Sequence, residues 1–79
     1  MSHTKVFKSR AWRASFAHRW ARFLRAHYES PEDVSVQFAV RYQTAKNWWD
    51  GANRPSGDVV DLAVRRHGLD YARFMDDAS

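Results

Sequence analysis

Gln43 and Asn47 stand four residues apart. Each carries a donor beside an acceptor, the pair of groups that matches adenine N6 and N7 in the major groove. Arg41 has the planar fork that fits guanine O6 and N7, and Lys46 brings a point charge suited to a base or a phosphate. Tyr42 offers its ring to a thymine methyl or its hydroxyl to a phosphate. Taken alone, such a set describes any solvated helix face. The chemistry that is missing narrows the field. There is no Cys, hence no disulfide framework and no thiolate metal site. His18 and His67 lack a Cys or carboxylate at metal spacing, and His27 falls among apolar residues, where a packed or hydrogen-bonded role is expected. Neither a metal nor a cofactor is expected. No nucleophile–base constellation or Gly-rich phosphate loop occurs, and the acids are scattered over helix starts and the tail, so an enzyme is not expected.

The elements that must position these side chains lie between Ser30 and Pro55. Ser30 can accept from the N–H of Asp33, and Pro31 occupies a first helical position, where its missing N–H costs nothing. Glu32 and Asp33 place negative charge at the positive end of the same helix. Val34 and Phe38 share one face, and the pattern gives out at Ala39-Val40. A second helix starts at Arg41 or Tyr42 with Ala45 and Trp48 inward; Gly51 ends it and Pro55 blocks resumption. Adjacent helical positions differ by about 100°, so Trp49 cannot share the pocket of Trp48. Trp49 is therefore either exposed to a partner or laid across the first helix. Two short helices joined by a tight turn make a helix-turn-helix.

This segment resembles the Cro/lambda-repressor-like helix-turn-helix family, whose members read as a short polar opening, an Ala, a Gly-Val turn, Thr-Val, then Trp-x-x-Gly-x-x-x-Pro. Ser35, Ala39-Val40, Thr44-Ala45 and the run from Trp48 to Pro55 take those places. Two positions depart from the pattern. Ala39 replaces the turn glycine, so left-handed backbone there carries strain. Pro31 stands where many relatives have a Gln that touches a phosphate. The resemblance implies an all-α, five-helix domain whose second and third helices form the motif. It assigns base reading to Arg41, Tyr42, Gln43, Lys46 and Asn47, and phosphate contact to Asn53 and Arg54 in the following loop. Ser56 and Gly57, opening the fourth helix, make a natural phosphate seat, and Thr44 either faces the duplex or braces the two helices. Ser30 and its helix start are a second candidate seat, opposed by Glu32 and Asp33. The implied function is a sequence-specific, double-stranded-DNA-binding transcription regulator, repressor-like and of phage or mobile-element type, acting as a homodimer on a palindromic site. The alternative is a helix-turn-helix interaction module that contacts RNA polymerase or another regulator and binds DNA weakly or with assistance.

The flanks complete the picture. Residues 1–9 lack helical periodicity and read as a flexible basic arm ahead of a domain over 10–76 and a polar tail over 77–79. From Arg10 to about Tyr28, Trp12, Phe16, Trp20, Phe23, Leu24 and His27 recur at spacings of three and four, predicting a long first helix. Ser56 reads as the cap of a fourth helix closed by Gly68, with Val59, Leu62 and Ala63 inward and Val60 and Val64 broadening the face. Leu69 reads as an apolar plug. Asp70 reads as the cap of a last helix bearing Tyr71, Phe74 and Met75, the first guess for a subunit contact. Seventy-nine residues make one small domain, with four Trp to fill its core. The net charge of +4 is uneven: seven basic residues and no acid up to Tyr28, against six basic and nine acidic residues after it. No apolar run is long enough to span a membrane, and no signal peptide is visible. A reducing cytoplasm is the expected setting.

Overall fold

The computed structural model describes the backbone of residues 2–76 and the side chains of residues 15–76. Five helices follow one another: α1 (Ser2–His27), α2 (Pro31–Phe38), α3 (Tyr42–Trp49), α4 (Gly57–His67) and α5 (Leu69–Asp76). No strand occurs among the described residues. α2 packs on α3, α1 lies against α3 and α5, and α4 packs on α5. The all-helical architecture agrees with the periodicity of the sequence.

Trp20 explains why the helices meet where they do. It is fully buried, and its ring lies 5.4 Å from Phe23, 6.0 Å from Phe38, 5.7 Å from Trp48 and 6.2 Å from Tyr71, the last three edge-on. Thus α1, α2, α3 and α5 each send an aromatic ring to one point. α4 contributes Val59 and Ala63 to the same core instead. Edge-to-face pairs of this kind add roughly 0.5–1.5 kcal/mol each beyond the area that they bury. Trp20 Nε1 is buried without a hydrogen-bond partner among the described residues, which costs back roughly 1–3 kcal/mol.

Several boundaries differ from expectation. α1 is helical from Ser2 rather than Arg10. No Pro or Gly precedes Pro31, so nothing in the chain interrupts a helix extended backward from the buried Trp20 region. The side chains of the basic arm, and of Trp12, lie outside the described residues, as does the tail over 77–79. Ser56 occupies the N-cap of α4 but makes no capping bond; its hydroxyl donates to Asp58 Oδ1 instead. Leu69 is not a plug. It begins α5 and is 79% exposed, because the chain turns at Gly68 (φ 53°, ψ −121°) and carries it outward. Asp70 consequently sits inside the first turn of α5 rather than capping it. Val64 is also exposed, so the inner face of α4 is narrower than the run of apolar residues implies.

Candidate nucleic-acid interface

α2 begins as its sequence dictates. Ser30 Oγ accepts from the N–H of Asp33 at 3.2 Å, and Asp33 Oδ2 accepts from the N–H of Glu29 at 3.1 Å, a reciprocal cap. α2 ends at Ala39, which lies in left-handed backbone at φ 55° and ψ 48°. There Val40 N–H donates to Ser35 O at 3.1 Å and Ala39 N–H to Val36 O at 3.3 Å, the paired bonds of a Schellman turn. Ser35 closes the turn by donating its hydroxyl to Val40 O at 2.8 Å. Val40 packs against the core. The chain thus reverses tightly enough for α3 to lie against α2.

α3 is two turns long, with Ala45 and Trp48 buried. At about 100° per residue the opposite side carries Gln43, Lys46, Asn47 and Asp50, flanked by Tyr42 and by Arg41 at the N-cap. Gln43 Nε2 donates to Asn47 Oδ1 at 3.0 Å, which joins the two amides into one plate and leaves Gln43 an acceptor and Asn47 donors to present outward. Lys46 Nζ bonds Asp50 Oδ2 at 2.7 Å, and this bond raises the lysine's pKa. Arg41 and Tyr42 are exposed, and the Arg41 carbonyl accepts from the N–H of Ala45 at 3.1 Å. The five candidate readers therefore share one outward region, with Asp50 as an acid at its far end.

The phosphate candidates divide. Thr44, Asn53, Arg54, Ser56 and Gly57 line one open groove of about 1100 Å³, floored by Phe16, Ala17, Trp48 and Tyr71. Ser30 is not among them; its hydroxyl oxygen accepts the capping bond at the start of α2. Arg54 and Asn53 are exposed at the rim. The seat at the start of α4 already holds an anion of the chain's own. Asp58 lies in the first turn and takes the Ser56 hydroxyl, and that bond is the main reason its carboxyl titrates below the usual range.

The partner candidates fare differently again. Tyr71 is buried against Trp20 and Phe23, so its ring belongs to the core, whereas Phe74 is half-buried against Phe23 and His27. Trp49 is half-buried and packs against the core, which accords with a ring laid inward rather than presented.

Two residues that local pattern did not single out tie the motif to its frame. Arg25, on α1, donates through Nε (3.0 Å) and Nη2 to the carbonyl of Trp49. Arg66, on α4, donates through Nη1 to the carbonyl of Gln37 at 2.7 Å and lies 5.4 Å over the Phe38 ring. Both bonds span more than twenty residues of sequence, which no helical periodicity encodes. No grouping of His, Asp and Glu fit to hold a metal occurs among the described residues, and none of the described helices is long and apolar enough to cross a membrane. No family, curated protein or solved structure matches the chain.

Proposed function

We propose that this chain is a sequence-reading, double-stranded-DNA-binding domain of a transcription regulator, with α2 and α3 as its helix-turn-helix. The observation that carries the reading is the joined Gln43–Asn47 amide plate on the outward side of α3, opposite Ala45 and Trp48 and a short turn away from α2. Paired donors and acceptors at that spacing suit adenine edges. Arg41 and Tyr42 at the start of the helix, and Arg54 and Asn53 in the loop beyond it, stand where base and backbone contacts would flank the plate. The wealth of bases in α1 supports a polyanionic partner. One such helix reads only a few base pairs, so binding as a homodimer to an inverted repeat belongs to the same proposal. The resemblance to Cro/lambda-repressor-like domains is consistent with this reading and adds a repressor-like, phage or mobile-element setting to it.

The test is selection from a random double-stranded pool at physiological salt. Enrichment of an inverted repeat with half-sites about one helical turn apart is the expected outcome. On the selected site, Gln43→Ala and Asn47→Ala should each cost roughly 1–3 kcal/mol and relax specificity, whereas Arg54→Ala should weaken all duplexes alike and flatten the salt dependence by about one unit of slope. Unchanged binding by the two amide variants would remove α3 as the reading helix. Bulk, unselective binding alone would favour an interaction module that meets RNA polymerase or another regulator.

A further inference from the structure

The ends of α3 can be accounted for carbonyl by carbonyl. The last four carbonyls of a helix have no partner within it. In α3, Lys46 O accepts from the N–H of Asp50 at 3.0 Å, Asn47 O from Ala52 at 2.8 Å, and Trp48 O from Gly51 at 3.0 Å. The fourth, Trp49 O, is left over by the turn at Gly51, and Arg25 is the group that takes it. We propose that Arg25 is the positioning residue of α3: reaching from α1, its guanidinium holds the last free carbonyl of the helix and so fixes how the Gln43–Asn47 plate is aimed. The proposal rests on the reading of α3 as the recognition helix.

Three features make the hold specific. α3 has only two turns, too short to keep its own orientation, and only Ala45 and Trp48 anchor it by burial. Two N–H groups on one oxygen constrain direction as well as distance, and a lysine ammonium lacks that fixed fork. A cation at the negative end of the helix is also favourably placed. The competing role is direct contact with a phosphate. The Nε–Nη2 edge that would grip a phosphate side-on is the edge already turned to Trp49.

The experiment uses the whole chain with Arg25→Met, Arg25→Lys and, as a control of equal charge change, Arg73→Met on the exposed side of α5. Hydrogen exchange on the free protein is read first. In both Arg25 variants the N–H groups of Asp50, Gly51 and Ala52 should exchange about tenfold faster while those of α1 and α5 do not change. Against the selected duplex, preference over a scrambled one should fall about fivefold with the salt slope intact. Arg73→Met should move neither reading. Exchange that is unchanged, or that quickens throughout the chain, would overturn the proposal. So would rescue by Arg25→Lys, or a salt slope smaller by about one at undiminished preference, which would make Arg25 a phosphate ligand. If the parent chain selects no duplex, the DNA-reading proposal fails, and the exchange result alone decides whether Arg25 holds α3.

Discussion

Ala39 is the one described residue other than glycine that the fold holds at positive φ, 55° with ψ 48°, and its methyl group is exposed. Left-handed backbone costs an L-residue roughly 1–2 kcal/mol, because Cβ crowds the following carbonyl. Glycine would relieve that cost and lose about 0.5–1 kcal/mol to its freer unfolded chain. The second offsets only part of the first, leaving about 0.5–1 kcal/mol in favour of glycine. Ala39→Gly should therefore raise Tm by roughly 4 °C in a thermal melt, without touching any contact in the core. A lower Tm would mean that the turn is not held left-handed in solution. Gly51, at φ 77°, presents the reverse case, since a Cβ added there would come no closer than 3.9 Å to its neighbours. Its backbone angle, and not a lack of room, accounts for glycine at the end of α3.

At the scale of helices, the two N-termini offered as phosphate seats have different states. That of α2 is closed by Ser30 and Asp33, which spend their oxygens on the chain's own N–H groups. At α4, Ser56 and Gly57 line the groove, while the Ser56 hydroxyl and the N–H groups of Asp58 and Val59 are taken by the Asp58 carboxylate. Asp58→Asn should tighten binding to any duplex by about fivefold and steepen its salt dependence, as removal of one opposing charge predicts. Fluorescence anisotropy across a salt series reads both; an unchanged slope would place the start of α4 away from the duplex. The same comparison shows what a sequence discloses. The cap at Ser30, the break at Ala39-Val40, the stop at Gly51 and the inward Ala45 and Trp48 were all legible, because each is a local rule of backbone chemistry or helical period. The outward placement of Gln43, Lys46 and Asn47 follows from the same period. The fate of Leu69, the burial of Tyr71 and the bonds of Arg25 and Arg66 were not, since each depends on where a distant helix comes to rest.

Over the whole molecule, the ends of α1, α4 and α5 meet in a second cluster beside the Trp20 core. The His27 and His67 rings lie 4.6 Å apart, Phe23 and Phe74 pack around them, and Tyr28 Oη meets His67 Nε2 at 2.7 Å. Arg66 stands next to His67 in sequence and reaches over to α2, while Asp70 Oδ2 is 3.7 Å from His27 Nε2. His67 therefore faces one other imidazole, one guanidinium, one phenol and a single carboxylate. Its pKa lies below the ordinary value of 6.5, first through burial, then through His27 and Arg66, with Asp70 opposing them. The unfolded chain consequently binds the proton more readily than the folded one. Stability is full above the unfolded pKa and falls as pH drops below 6.5 toward the folded value. One proton taken up on unfolding is worth at most about 1.4 kcal/mol per pH unit. The ring is partly open to solvent, which screens it, so Tm should be lower by roughly 2–4 °C at pH 5.5 than at pH 7. His67→Gln keeps an acceptor for Tyr28 and removes the titration, and its melts should differ less between the two pH values. Because Arg66 ties this end of α4 to the last turn of α2, acid should also lower the protection factors of Ala39 and Val40, taken against the intrinsic exchange rate at each pH, in the parent chain and not in the variant. Equal pH dependence in both proteins would locate the acid sensitivity in groups other than His67.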